Sequence, residues 1–192
     1  MNNIEIKKIT LADVNELQDI SRQTFYDTFS EVNTKENMKK YLDESFSIEK
    51  LTQELSNTNS EFYFARQDSK PIGYLKLNFR QAQTELKDEN AVELERIYVL
   101  KAFLGKRVGQ LLYDKAVEIA RAKKANYIWL GVWEKNLRAI HFYKKNGFLE
   151  FDKHVFKLGN DEQTDLMMKL DLWMQSSFLD IYSNVPANYE FA

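Results

Sequence analysis

The stretch LKAFLGKRVGQLL, residues 100–112, stands where a run of strand-forming residues gives way to a helical pattern. It carries two glycines four residues apart, with two cations between them. Gly105 lets the chain turn where a side chain would obstruct. The N–H groups of residues 104–109 then converge near the start of a helix, whose own free N–H groups and dipole add positive potential. That combination suits a pyrophosphate. Lys106 and Arg107 add charge. The stretch is not a Walker loop, because Arg107 follows Lys106 where a metal-binding Ser or Thr would stand. By itself it also fits an ordinary strand–helix turn with a solvated edge.

Outward from this loop the pattern is regular. Before it, AVELERIYVL (91–100) reads as a strand. After it, a helix runs from about Arg107 to Lys124, with Val108, Leu112, Ala116, Ile119 and Ala120 on one face. YIWLGVW (127–133) has no charged residue and reads as a central strand buried on both faces. NLRAIHFYKKNGF (136–148) is a short helix ended by Gly147. Two strand-like runs follow, at about 148–156 and 163–170.

Towards the N-terminus, residues 3–9 alternate as a strand. Thr10 caps a helix with Leu11, Val14, Leu17, Ile20 and Phe25 on one side. A second helical region spans about 34–57. EFYFARQDSKPIGYLKLNF (61–79) is two strands joined by a polar turn at Asp68 to Pro71. The expectation is one α/β (α+β) domain over residues 1–171, with a central mixed, mostly antiparallel sheet flanked by helices. Residues 172–192 form a C-terminal extension. Its Trp173, Phe178, Ile181, Tyr182, Tyr189 and Phe191 are too apolar for a solvated tail. They have two outlets, the domain itself or a partner subunit, which leaves a homodimer open.

Composition narrows the chemistry. The 192 residues are 44% apolar and 29% charged, with a net charge of −2. No basic footprint argues for nucleic acid. No apolar run approaches membrane-spanning length, and the start lacks a signal-peptide core, so the cytoplasm is the expected location. The chain has no cysteine, which removes disulfides, thiolate nucleophiles and cysteine metal sites. Two histidines, His141 and His154, make a poor metal site, and none is expected.

Asn136 opens the helix of residues 136–148, Ala139 follows three residues later, and Tyr143 lies two turns along the same face. The order strand, phosphate loop, helix, strand, Asn-helix-Tyr, NGF resembles the GNAT family of acyl-CoA-dependent N-acetyltransferases over most of residues 3–170. The resemblance implies acetyl-CoA as cosubstrate. Ile97, Tyr98 and Val99 would meet its pantetheine arm through main-chain groups. Leu104, Gly105, Lys106, Arg107, Val108 and Gly109 would cradle the pyrophosphate. Asn136 and Ala139 would line the cofactor, and Lys145 would meet the outer phosphate. Tyr143 matches the tyrosine that protonates the departing thiolate. The family's loop runs Gln or Arg, two residues, Gly, one residue, Gly. Here Leu104 takes the first place, keeping its N–H, and Arg107 takes the first glycine's place, where a helix start would spare it a strained φ.

N-acetylation needs an amine relieved of its proton, donors for the oxyanion, and an acid for the leaving thiolate. A strand N–H near Val99 supplies the donors, and Tyr143 the acid. Without cysteine, direct transfer is the natural route. Strand alternation groups Glu93, Glu95 and Ile97 on one face, away from Arg96, which makes Glu95 the candidate base, directly or through a water.

TFYDTF, ENMKKYL, LERIYV, IWLGVWEKN, AIHFYKKNGF and DEQTDLMM together resemble the PaiA-type spermidine/spermine N-acetyltransferases. That implies a polyamine acceptor, with Asp27, Glu31 and Glu134 as carboxylates near the cleft. A protein amine, or a non-catalytic regulatory use of the scaffold, are the alternatives.

Overall fold

The computed structural model describes residues 4–158 and 161–172. Its element order is β1 (Ile4–Lys8), α1 (Val14–Phe29), α2 (Lys35–Ser45), α3 (Ile48–Ser56), β2 (Ser60–Gln67), β3 (Lys70–Phe79), β4 (Ala91–Val99), α4 (Val108–Ala122), β5 (Tyr127–Trp133), α5 (Leu137–Lys145), β6 (Leu149–Leu158) and β7 (Asp161–Asp171). The seven strands form one sheet in the order β1-β2-β3-β4-β5-β7-β6. Among the described residues only β4 and β5 run parallel. The expected mixed, mostly antiparallel sheet flanked by helices is what forms.

The helical region expected over 34–57 divides in two. Phe46 ends α2, and the Ser47 hydroxyl accepts from Lys50 N–H to cap α3. The Asp68–Ser69 turn takes positive φ at both residues, 50° and 65°, as a tight hairpin between right-twisted strands requires. The strand YIWLGVW is central as expected, but Gly131 in its middle is exposed.

Each face of the sheet has its own core. Leu112, Ala116 and Ala120 of α4 pack on Leu75, Leu94, Leu130 and Met168. On the opposite face, Leu17, Ile20 and Phe25 of α1 join Met38, Leu42 and Leu51 against Phe62, Phe64 and Tyr74. No helix among the described residues is long and apolar enough to cross a membrane. The aromatic residues of the C-terminal extension lie outside the described residues.

Two departures from ideal pairing shape the site. The parallel pairing of β4 and β5 covers Ala91↔Tyr127, Val92↔Ile128 and Glu93↔Trp129, and then stops. Beyond it the strands part and leave a splay. On the other side of β4, the register with β3 shifts between Lys76↔Arg96 and Leu77↔Leu94, so Glu95 is an extra residue in a bulge.

Candidate active site

The splay opens into a cavity of about 880 Å³. The end of β4, the loop before α4, the first turn of α4, α5 and the side of α1 all contribute to its wall. Every cofactor-contacting residue expected from the sequence lines it, Lys106 excepted. Lys106 instead lays its ammonium over the Phe103 ring, 5.1 Å from the centroid.

The loop is built as a nest, with two changes from expectation. The N–H groups of Leu104 and Lys106 are already bonded, to the carbonyls of Lys101 and Phe103, each at 3.3 Å. Leu104 therefore does not keep a free N–H. The first intrahelical bond of α4 is Leu111 N–H to Arg107 carbonyl. The N–H groups of Val108, Gly109 and Gln110 are thus left to a ligand, as at any helix start. Arg107 sits in the left-handed region, at φ 64° and ψ 6°. The expectation that it escapes strain is wrong. The chain needs a glycine-like turn here, and Arg107 adopts it at a cost of about 1 kcal/mol. In exchange its guanidinium joins Lys101, Arg138 and Lys145 on the wall, against the carboxylates of Asp27 and Asp114. Lys101 and Arg138 are cations that sequence reading passed over. Neither belongs to a motif, and only the fold brings them beside the loop.

The β4 edge supplies main-chain groups to the splay. Leu100 N–H bonds to the Ile72 carbonyl, so by antiparallel alternation Tyr98 and Arg96 spend their backbone groups on β3. Ile97 and Val99 then turn theirs towards the splay. Of the three residues expected to present main chain, Tyr98 contributes its side chain instead, stacked 5.7 Å from Tyr74.

Tyr143 is held from two sides. Its ring packs 5.5 Å from those of Phe142 and Phe148. Its carbonyl accepts from Phe148 N–H at 3.1 Å around Gly147, whose φ of 90° closes the helix end. Burial alone raises the Tyr143 hydroxyl well above the ordinary tyrosine value. It is a neutral phenol carrying its proton into the cavity. Asn136 caps α5, its side-chain oxygen accepting from Ala139 N–H at 3.1 Å.

Glu95 departs most from expectation. Because of the bulge it shares a face with Arg96 instead of opposing it. Its Oε2 lies 2.6 Å from Lys76 Nζ and its Oε1 3.0 Å from an Arg96 nitrogen. Asn78 Nδ2 donates to it as well, at 2.5 Å. Burial acts to raise its pKa, but Arg96, Lys76 and Asn78 together overcome that and hold it down at about 2. Glu95 does not line the cavity. It is an anchored anion closing the bulge. Glu93, beside it, is pushed the other way by burial and by the Glu95 charge. Thr84 and Asn78 occupy both its oxygens.

Of the three acceptor-side carboxylates, Asp27 lines the cavity with Thr24 and Thr28, while Glu31 and Glu134 do not. No group of three or more possible metal ligands forms among the described residues.

A parted pair of parallel strands, a cationic helix-start nest and a protonated tyrosine share one cavity, an arrangement suited to a phosphate-bearing acyl carrier. Comparison with known proteins agrees. The sequence profile of the Acetyltransferase (GNAT) family matches residues 15–148, and the chain belongs to that family. It is 41% identical over 169 residues to a Lactobacillus delbrueckii subsp. lactis protein named "Uncharacterized N-acetyltransferase in pepI 3'region", covering 88% of this chain and 98% of that one. It is 29% identical over 150 residues to the spermidine N(1)-acetyltransferase of Thermoplasma acidophilum, covering 76% and 88%. Among solved structures, the PaiA N-acetyltransferase of Thermoplasma acidophilum in complex with coenzyme A superposes with a TM-score of 0.74 at 28% identity, over 88% of this chain and 99% of that one. The protein is an N-acetyltransferase of the GNAT type.

Proposed function

We propose that the protein moves the acetyl group of acetyl-CoA to a primary amine, most readily a polyamine such as spermidine or spermine, by direct transfer. One observation carries this reading. A single cavity joins the cationic nest at Arg107 to the Asp27 carboxylate, with Tyr143 on its wall. One end suits a pyrophosphate and the other an ammonium. The resemblance to a spermidine acetyltransferase supports the same acceptor class.

Acetyl-CoA supplies an activated thioester. The nest at Gly105 to Gly109, with Lys101, Arg107, Arg138 and Lys145, holds its phosphates. Ile97 and Val99 orient the pantetheine arm through their backbone, and a β4 N–H near Val99 donates to the oxygen where negative charge develops. Tyr143 returns a proton to the sulfur as the C–S bond breaks. The absence of cysteine fits transfer without a thioester on the enzyme. Glu95 keeps the bulge, and with it the splay, in shape.

The test is free-thiol release from acetyl-CoA with a panel of spermidine, spermine, butylamine and a lysine peptide. The expected order puts the polyamines first in kcat/KM. A lysine peptide turned over faster than spermidine would replace the polyamine with a protein acceptor. Coenzyme A binding with no release for any amine would leave a regulatory scaffold.

A further inference from the structure

The reaction needs a proton acceptor for the incoming ammonium, and the carboxylates of β4 are committed elsewhere. Glu95 is clamped by Lys76, Arg96 and Asn78, and Glu93 is buried under Thr84. A different carboxylate, Asp165, stands on β7, the strand across β5 from β4.

Gly131 lies two residues past Trp129, the last residue of β5 paired with β4. It therefore stands beside the parted strands, on the sheet face that α1 covers, where Trp133 two residues on meets Phe29 of α1. It points to the face opposite Leu130 and Val132, which belong to the α4 core. In a central strand such a position is normally covered, yet Gly131 is exposed. A Cβ placed on it would come within 3.3 Å of His154 Cε1 and 3.7 Å of Asp165 Oδ2. The missing side chain leaves a niche with a histidine and a carboxylate as its wall. His154 Nε2 stands 3.9 Å from Asp165 Oδ2, and His154 Nδ1 stands 3.1 Å from Glu85 Oε1. The contact with Glu85 is off the direction of a hydrogen bond. Unlike Glu95, Asp165 has no clamp. Among the described residues, the basic side chain recorded beside it is His154, beyond hydrogen-bond length.

We propose that Asp165, backed by His154 over the floor of Gly131, takes the proton from the acceptor ammonium. An N–H bond of the ammonium breaks and its proton passes to the Asp165 carboxylate. The freed lone pair forms the C–N bond at the thioester carbonyl carbon while the C–S bond breaks. Tyr143 protonates the departing sulfur, and the second proton lost from nitrogen restores Tyr143. Asp165 then releases its proton to solvent, to which the niche is open at Gly131.

The charges around the niche suit that task. Glu85 comes from the loop before β4, His154 from β6, and β5 offers only Gly131. Burial raises the Asp165 carboxyl to about 6, with His154 opposing and Glu85 reinforcing the shift. A base at that level accepts a proton far more readily than one at Glu95's level, yet is still largely ionised at neutral pH.

This inference rests on the acetyltransferase activity and not on which amine is used. The test measures thiol release from acetyl-CoA with spermidine and with butylamine across pH, alongside calorimetric coenzyme A binding to the same full-length proteins. Asp165→Asn should lower kcat/KM about 100-fold or more near pH 7 with unchanged coenzyme A affinity. The loss should shrink towards about pH 9.5, where a growing share of the amine arrives already deprotonated. A purely structural role would not recover in that way. Gly131→Val should fill the niche and raise the amine KM without touching coenzyme A affinity. Activity of Asp165→Asn within about 3-fold of the parent, a loss constant across pH, or an unchanged amine KM in Gly131→Val would overturn the assignment. A parent that releases no thiol with any amine would instead remove the reaction itself, and Asp165's role with it.

Discussion

Lys76 reaches from β3 to set its Nζ 2.6 Å from Glu95 Oε2, and 3.0 Å from a Glu54 oxygen of α3. Arg96 completes the group, with contacts to both carboxylates. Four charges are thus held under α3 with little access to water, and they pin the bulge from which β4 leaves β5. Removing one partner strands the others. Lys76→Met should destabilise the fold by about 3 kcal/mol, read as a lower urea midpoint at unchanged slope. A midpoint equal to the parent's would mean that the network contributes nothing net.

The same network sets an acid limit. Glu95 is held at about 2 against an ordinary value of 4.5. A depressed carboxyl contributes stability that is complete above its unfolded value and is lost as pH falls towards the folded one. Glu95→Gln should therefore be less stable than the parent at pH 7, by roughly 2–3 kcal/mol. The gap should narrow steadily below about pH 4.5. Urea unfolding at pH 7 and pH 3.5 checks this, and a gap of equal size at both would assign the loss to packing.

Arg107 separates strain from charge. At φ 64° it occupies a conformation that glycine adopts freely. Arg107→Gly should raise stability by about 0.5–1 kcal/mol while weakening coenzyme A binding through the lost cation. Arg107→Ala keeps the strain and loses the charge, so it should weaken binding without the gain in stability. If both variants bind coenzyme A like the parent, the guanidinium does not meet the phosphates.

The element order was legible because it rests on periodicity and on turn residues, which are local. So was most of the cavity wall, since Asn136, Ala139, Tyr143 and Gly109 sit at fixed spacings on continuous elements. The failures share one cause. Strand alternation assumes no inserted residue, and the bulge at Glu95 inserts one, so both Glu95 and Arg96 turn to one face. Nothing in ELERIYV marks that shift. It follows from Lys76 and Glu54, which stand 19 and 41 residues before Glu95. The niche at Asp165 was unreadable for the same reason, because β5, β6, β7 and the loop before β4 meet there only in the folded sheet. Arg107 shows the converse. The turn's geometry persists although the residue that usually provides it does not, so composition misjudged the backbone.

Gly109 tests the nest with little risk to the fold. A Cβ on it would meet only Val99 Cγ2, at 3.9 Å. Gly109→Val is therefore expected to fold, and its branched side chain to fill space beside the free N–H groups of the α4 start. Coenzyme A affinity should fall at least 10-fold, or about 1.4 kcal/mol. Unchanged affinity by calorimetry would move the pyrophosphate away from this turn.

Tyr143 has burial and a raised pKa in its favour, but no protein partner is needed for its hydroxyl to act. Tyr143→Phe keeps the ring contacts with Phe142 and Phe148 and deletes only the proton donor. Turnover should fall about 100- to 10,000-fold with coenzyme A affinity little changed. A kcat within a few-fold of the parent would make water the acid.

The acceptor preference turns on Asp27. A polyamine brings remote ammonium groups that a monoamine lacks, and Asp27 is the expected carboxylate that the structure brings to the cavity. Asp27 is exposed, so its contact with such a group is screened and modest, on the order of 0.2–1 kcal/mol. Asp27→Asn should accordingly raise the spermidine KM about 2- to 5-fold and leave the butylamine KM where it was. Added salt should erode the parent's preference for spermidine and do little to the variant's. The same substitution at Glu31 or Glu134, outside the cavity, should be nearly silent. An equal rise in KM for both amines would show that Asp27 holds the reacting nitrogen and not a remote one. Equal kcat/KM for spermidine and butylamine in the parent at low salt would sink the polyamine reading.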